Sequence, residues 1–160
     1  NLGKICDREE KAESLVKEMK DEISRAAGQA TLTGKHPRGL IIEFMGSDIS
    51  VYGEETLAGD IFRRMNGELL ASGQQQISKE QIIEIDPDAI FVILIEGDYD
   101  HPKQKLDMLY HEQALRDVRC IREKRVYPLP LYSVYSSGIR TLDGIRYIGK
   151  GLYPDLYKEQ

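Results

Sequence analysis

The sequence predicts an α/β fold with three layers, in which helices flank a mainly parallel central sheet. Apolar runs of strand length alternate with segments of helical periodicity along the 160 residues. One run, Ala89 to Ile95, is apolar at every position, which is typical of a strand covered on both faces. Strands that alternate with helices are joined by right-handed crossovers into parallel sheets. Together these observations predict a Rossmann-like domain.

The first helix is predicted from an apolar stripe that recurs at helical spacing from Ala12 to Ala27 and ends at Gly28. Asp7 and Glu10 have capping-box spacing before it. Further upstream, Leu2, Ile5 and Cys6 also share a helix face, so we expect the sequence to begin inside a helix, although a frayed turn has equal support. Residues 29–37 have turn chemistry and form a connection.

The remaining elements follow from apolar periodicity and turn residues. Two short strands come first, a capping box at Ser78 and Gln81 begins a short helix, and no internal repeat is present. In chain order we predict strands at 40–44 and 49–51, helices at 57–65 and 78–85, a strand at 89–95, a helix at 106–115, a strand at 126–129 and a helix at 139–152.

Composition excludes several classes of protein. No apolar run reaches eighteen residues, so no stretch of the sequence predicts a membrane-spanning helix. The net charge of −5 argues against a nucleic-acid-binding face, and the locally basic run from Arg119 to Arg125 is interpreted as solvated surface. Cys6 and Cys120 have no metal-ligand spacing and are interpreted as unpaired thiols. A chain of this length buries about 70% of its unfolded surface, enough for one core.

Two motifs come close to known catalytic patterns and are rejected. Gly144 and Gly149-Lys150-Gly151 approach a phosphate-binding loop, but the sequence has Gly151 where a magnesium-binding hydroxyl is needed, and the helical periodicity runs through them. Ser136-Ser137-Gly138 precedes the last helix, where N-capping explains its hydroxyls. A metal site built from Asp98, Asp100, His101 and His111 is less well supported than a polar loop.

Three loops that follow strands carry aromatic and hydroxyl groups. They are residues 51–56, 97–102 and 132–137, and ligands in open α/β sheets bind at the carboxyl ends of strands. Six of the nine tyrosines fall between Tyr127 and Tyr157. We assign Tyr147 and Tyr153 to packing and retain Tyr132 and Tyr135 as surface candidates.

The order of elements, together with short strings along the whole chain, resembles the substrate-binding proteins of ABC importers for iron-siderophores, haem and vitamin B12. The strings are Leu2-Gly3-Lys4-Ile5, Arg8-Glu9-Glu10-Lys11-Ala12, Gly67-Glu68, Ile77-Ser78-x-Glu80, Asp86-Pro87-Asp88-Ala89-Ile90, Lys124-Arg125-Val126-Tyr127-Pro128-Leu129 and Gly138-Ile139-Arg140. Proteins of that family have two α/β lobes joined by a long helix. The resemblance implies that residues 1–6 end this connecting helix, that 7–160 form the C-terminal lobe, and that the N-terminal lobe is absent.

The resemblance also implies which residues face the ligand in the cleft between the lobes. These are the polar and aromatic residues of the strand-end loops: Tyr52, Asp98, Tyr99, His101, Tyr132, Tyr135 and Arg140. Arg140 can donate a bidentate pair of hydrogen bonds to a carboxylate. The ligand implied is an iron chelate, haem or cobalamin, and neither an intrinsic cofactor nor a resident metal is expected.

In the same family an acidic residue near the start of a surface helix docks each lobe onto arginines of the membrane permease. Glu55, and after it Glu54, match that position. Favourable interaction with the helix dipole explains the same charge equally well. The resemblance further implies an extracytoplasmic, lipid-anchored and non-enzymatic protein, and an isolated lobe could self-associate through its exposed interface. The alternative is a cytosolic α/β enzyme or regulatory domain that uses the Asp98–His101 loop.

Overall fold

Five strands form the central sheet of the computed structural model, which describes residues 9–158. They are β1 (Arg38–Met45), β2 (Asp48–Val51), β3 (Glu68–Leu69), β4 (Ala89–Leu94) and β5 (Val126–Pro130). The order across the sheet is β2-β1-β4-β5, and β3 pairs with β1 beyond the end of β2. Pairings of β1 with β3 and β4, and of β4 with β5, are parallel, whereas β2 is antiparallel. The expected mainly parallel sheet is confirmed.

Helices cover both faces of this sheet. They are α1 (Glu9–Thr33), α2 (Leu57–Arg64), α3 (Lys79–Ile85), α4 (Pro102–Tyr110), α5 (Arg119–Arg122) and α6 (Thr141–Leu152). Short 3-10 turns lie at Glu96–Asp98, Gln113–Leu115, Leu131–Ser133 and Pro154–Tyr157.

Alternation along the buried strands divides the core into two layers. Ile41 and Phe91 face α1, α2 and α6, and the ring of Phe62 on α2 meets Phe91 edge to face at 5.7 Å. Leu40 and Ile90 point the other way, towards α3, α4 and α5. All six residues of β4 are buried, as expected for a strand covered on both faces. The three-layer α/β fold is therefore confirmed.

The first helix is longer than the sequence indicated. It continues through Gly28 to Thr33, because Ala26 and Ala30 extend the buried stripe against the core. The Thr31 and Thr33 hydroxyls donate to the carbonyls of Ala27 and Gln29 and are thereby accommodated within the helix. The prediction that the helix ends at Gly28 is wrong.

Two later boundaries also differ. The helix expected over 106–115 ends at Tyr110, and a separate 3-10 turn follows, in which the Glu112 carboxylate accepts from the Ala114 N–H. The last helix starts at Thr141, which leaves Ile139 outside it and 80% exposed. Ser136 and Ser137 do not cap this helix, because its N-cap is Arg140, which makes no side-chain capping bond; the Thr141 hydroxyl accepts from the Gly138 N–H at 3.0 Å.

Other local expectations hold. Ser78 and Gln81 form the reciprocal capping box of α3, and Asp86, in the left-handed region, ends that helix. Gly144 and Gly151 lie inside α6 rather than in a loop, as expected when the phosphate-binding motif was rejected. A Cβ at Gly144 would lie 2.4 Å from the Ser133 carbonyl oxygen, so this glycine serves close packing.

Some predictions fall on residues that the structure does not describe. The helical face of Leu2, Ile5 and Cys6 and the cap at Asp7 lie outside residues 9–158, as does the assignment of 1–6 to a connecting helix. Cys120 is buried and forms no disulfide with any described residue. Within the described segment, no helix combines the length and apolarity needed to span a bilayer.

Candidate functional site

Tyr99, Tyr132 and Arg140 form a cluster where β4 and β5 end, which we call the tyrosine–arginine cluster. Tyr99 follows β4 and Tyr132 follows β5, and their rings meet edge to face with centroids 5.3 Å apart. The Arg140 guanidinium carbon lies 4.9 Å from the centroid of the Tyr132 ring, a cation–π arrangement. Tyr132 therefore contacts two other predicted site residues, Tyr99 and Arg140, at the carboxyl edge of the sheet.

Tyr147 supports this cluster from α6. It is half-buried and packs against the core. Burial, and then the neighbouring Tyr132 hydroxyl, raise the pKa of Tyr147. Tyr153 is buried, its hydroxyl donates to the Met65 carbonyl at 2.6 Å, and burial raises its pKa to about 12. The assignment of Tyr147 and Tyr153 to packing is confirmed.

The charged residues in and after the loop that follows β4 have different roles. The Asp98 carboxylate accepts from the Ile95 N–H at 3.1 Å and lies 3.7 Å from the Lys105 ammonium, so it stabilises the loop. His101 is exposed at the start of α4 and makes no capping bond with its side chain. Among residues 9–158, no group of three His, Cys, Asp or Glu side chains could hold a metal ion.

The Tyr52 side chain reaches the carboxyl half of the sheet, although the loop that carries Tyr52 does not lie at the carboxyl edge. Because β2 is antiparallel, its carboxyl end lies beside Ile41 in the middle of β1, and the 51–56 loop is not at the carboxyl edge with the other two. The Tyr52 side chain nevertheless turns back and donates a 2.7 Å hydrogen bond to the Glu43 carboxylate. Burial and this bond raise the pKa of Tyr52, and the charge of nearby Tyr135 adds to the effect.

Large apolar side chains surround the cluster at the carboxyl edge. Met45 ends β1, Ile95 follows β4, and Tyr135 and Ile139 lie in the connection after β5. Their exposed fractions are 56%, 46%, 78% and 80%, respectively. Apolar groups gathered at one edge of a sheet, beside a tyrosine–arginine cluster, are typical of a ligand or interface surface.

The two predicted docking residues lie at the amino edge of the sheet, opposite the tyrosine–arginine cluster. Glu54 and Glu55 are exposed in the turn between β2 and α2. Glu54 borders a shallow groove with His36, Arg63 and Glu68, and the last of these pairs with Arg38 at the start of β1. The acidic turn is therefore at the amino edge of the parallel strands, away from the tyrosine–arginine cluster.

Sequence reasoning missed two residues that shape the carboxyl edge. Glu43 anchors Tyr52, and Lys105 faces Asp98. Glu43 could have been recognised from the sequence, because it is the one charged residue inside an otherwise apolar run from Leu40 to Met45. The sequence gives no reason to select Lys105, because a lysine on an amphipathic helix is ordinary.

An open α/β sheet with a polar and aromatic cluster at its carboxyl edge is the arrangement typical of ligand-binding α/β proteins. The model of a protein family described as "Periplasmic binding protein" matches residues 1–132. The chain therefore belongs to the periplasmic binding protein family. Members of this family are binding proteins and not enzymes, so a catalytic role for the Asp98–His101 loop is not favoured.

Individual relatives agree with this assignment. The uncharacterized ABC transporter substrate-binding lipoprotein YvrC of Bacillus subtilis is 26% identical over 99% of this chain and 49% of its own length. A periplasmic binding protein from Veillonella parvula superposes with a TM-score of 0.93 at 37% identity, covering 99% of this chain and 50% of that one. The petrobactin-binding protein YclQ of Bacillus subtilis shares the fold, with a TM-score of 0.74 at 22% identity over 95% and 55% of the two chains. The chain spans about half the length of these relatives.

Proposed function

We propose that this chain is the C-terminal lobe of a two-lobe substrate-binding protein, which carries a metal chelate to the permease of an ABC importer. Residues 7–160 form the lobe, and a further lobe completes the cleft. The observation that carries the ligand role is the contact of Tyr99, Tyr132 and Arg140 at the carboxyl edge of the sheet. A flat aromatic surface beside a guanidinium fits a large, anionic, partly aromatic ligand.

The ligand we propose is a ferric siderophore, with haem and cobalamin as the other two chelates to be tested. Arg140 is exposed at the rim, where it can donate to a carboxylate or catecholate oxygen while its carbon frame rests on Tyr132. Tyr52 and Tyr135 extend the same wall towards β1. Asp98 acts within the loop, and His101 stands exposed at its far end.

Delivery requires contact with the permease, and we assign this contact to Glu55, with Glu54 beside it. Both carboxylates are exposed at the edge opposite the tyrosine–arginine cluster, so a partner can engage them without covering the ligand. Charges at the rim of an interface steer association more than they add affinity.

We propose that the protein lies outside the cytoplasm, which the family supports, and that the full-length form carries a lipid anchor, by analogy with the lipoprotein relative. The isolated chain has only half of the cleft and should bind ligand weakly, because much of the contact area belongs to the other lobe. Its exposed apolar residues at the carboxyl edge also favour self-association of the isolated lobe.

An absorbance titration of the intact two-lobe protein with ferric siderophores, haem and cobalamin tests the ligand role. We expect saturable binding of one chelate at micromolar or lower concentration, and weaker binding by a Tyr132→Ala variant, because the ring in contact with Tyr99 and Arg140 is lost. Failure of all three chelates, with the protein folded, would remove the proposed function.

A second experiment tests docking separately. Glu55→Lys in the intact protein should lower transport while leaving ligand affinity unchanged, because a positive charge then faces the permease arginines. Glu80→Lys is the matched control, because Glu80 is an exposed carboxylate in the first turn of α3 and any effect of the helix dipole is shared. Equal losses from both variants would assign the effect to the helix dipole.

A further inference from the structure

The turn that carries Glu54 and Glu55 is held at both ends. The Thr56 N–H and hydroxyl both donate to the Gly53 carbonyl, at 3.1 and 2.7 Å, and the Gly59 N–H donates to the Thr56 hydroxyl at 3.0 Å. The Glu54 N–H donates to the Ser72 hydroxyl at 3.1 Å. Two exposed carboxylates therefore project from a fixed backbone.

Two glycines bring this turn against α2. A Cβ at Gly59 would lie 2.1 Å from the Gly53 carbonyl oxygen, and a Cβ at Gly53 would lie 2.2 Å from a carboxylate oxygen of Glu55. Neither glycine has the left-handed φ that would demand glycine for conformational reasons. At Gly59 the close approach of backbone atoms requires glycine, whereas a Cβ at Gly53 would meet the end of the flexible Glu55 side chain, which would have to move.

The start of α2 does not by itself account for both glycines. Thr56 is the N-cap and its hydroxyl makes the capping bond to Gly59. That bond requires no particular residue at Gly53, and the Glu55 carboxylate occupies the space that a Cβ at Gly53 would take. The absence of a side chain at Gly53 thus leaves room for the Glu55 carboxylate to lie over the turn.

We propose that Gly53 and Gly59 are positioning residues for docking: Gly59 lets the turn approach α2, and Gly53 lets the Glu55 carboxylate fold back over the turn in the orientation that meets the permease. This proposal rests on the proposed docking role of Glu55. It adds that the direction of the carboxylate, and not only its charge, determines recognition.

The test measures binding of the intact two-lobe protein to its permease in lipid nanodiscs. We expect Gly53→Ala to weaken binding about tenfold, since a misdirected charge loses much of a charge-assisted contact. Ligand affinity and the circular dichroism spectrum should be unchanged, because the new methyl meets only the end of a flexible side chain. Gly59→Ala should weaken binding as well and also lower the melting temperature, because its methyl meets backbone.

Gly28→Ala is the matched control, because Gly28 is also helical and a Cβ there meets nothing within 4 Å. It should bind the permease as the wild type does. A double-mutant cycle gives the decisive readout: in a Glu55→Gln background, Gly53→Ala should cause no further loss, whereas a purely structural role gives additive losses.

The outcomes separate the two proposals. If Glu55→Gln binds the permease like the wild type, the docking role fails and the positioning role fails with it. If Glu55→Gln weakens binding but Gly53→Ala does not, or if their losses add, docking stands and the positioning role is overturned.

Discussion

The ring of Tyr99 meets the ring of Tyr132 edge to face, at a centroid separation of 5.3 Å and an interplanar angle of 82°. The first follows β4 and the second follows β5, so the contact joins the loops after two adjacent parallel strands. Such pairs contribute about 0.5–1.5 kcal/mol beyond their buried area. The wall of the proposed site is thereby fixed before any ligand arrives.

Arg140→Ala should lower the affinity of the intact protein for an anionic chelate about tenfold or more, because hydrogen bonds to charged groups contribute about 1.5–3 kcal/mol. The absorbance titration measures it. Lys124→Ala is the control: its ammonium lies 4.4 Å from the Tyr110 ring centroid, a similar contact, but it precedes β5 at the amino edge. Equal affinities for Arg140→Ala and the wild type would exclude Arg140 from the site.

The C-terminal 3-10 turn stabilises α1 in a pH-dependent way. The Tyr157 hydroxyl donates to the Glu22 carboxylate, and the Arg25 guanidinium lies 4.7 Å from the Tyr157 ring centroid. Burial alone would raise the pKa of Glu22, but the hydrogen bonds from Tyr157 and Arg25 outweigh it and the pKa is lowered. This stabilisation is present above the unfolded-state pKa and is lost as the pH falls through the folded-state pKa.

Tyr157→Phe should therefore lower the free energy of unfolding by about 1 kcal/mol at pH 7, and by less at a pH below the lowered pKa of Glu22. Urea unfolding of both proteins at pH 7, 5 and 3 measures the difference. Tyr135→Phe, which removes a hydroxyl from an exposed ring, should leave stability unchanged. A deficit that is constant across this pH range would contradict the assigned role of Glu22.

Two helical glycines should respond oppositely to the same substitution. Gly28→Ala should stabilise the chain by about 0.5–1 kcal/mol, because alanine is the better helix former and the added methyl meets no atom within 4 Å. Gly144→Ala should destabilise it, because the methyl would lie 2.4 Å from the Ser133 carbonyl oxygen. Melting temperatures of the two variants measure this, and shifts of the same sign would contradict it.

The Cys120 thiol should be unreactive in the folded protein. It is fully buried, and burial, aided by the nearby charge of Asp86, raises its pKa to about 12. In a Cys6→Ser variant, labelling with a thiol reagent at pH 8 should be slow under native conditions and fast in urea, because the thiolate is the reactive form. Rapid native labelling would show that the segment around α5 opens readily.

Local chemistry made much of the fold predictable. The uninterrupted run that forms β4 and the capping box of α3 are complete within a few residues, so tertiary contacts had little to alter. The length of α1 was not predictable in this way, because Ala30 is held in the helix by contacts with the core layer of α2 and α6.

The candidate site was only partly predictable for a related reason. Tyr99, Tyr132 and Arg140 come together because they follow parallel strands, which the alternation of elements implied. The 51–56 loop was misplaced because its strand is antiparallel, a consequence of the tight turn at Gly46, whose φ is +64°. A two-residue turn cannot accommodate the crossover that parallel strands require.

The tyrosine–arginine cluster and the acidic turn lie at opposite edges of one sheet, which separates most of the proposed ligand surface from the proposed docking residues. In the proposed function, most of the ligand-facing residues follow β4 and β5, whereas the docking carboxylates follow β2, as does Tyr52. Substitutions of Tyr99, Tyr132 or Arg140 should therefore leave the acidic turn intact, whereas changes at Glu54 or Glu55 lie next to Tyr52 and its bond to Glu43 on β1. If the proposed function holds, the ligand of such a lobe can change through the loops after β4 and β5 while the docking turn is retained.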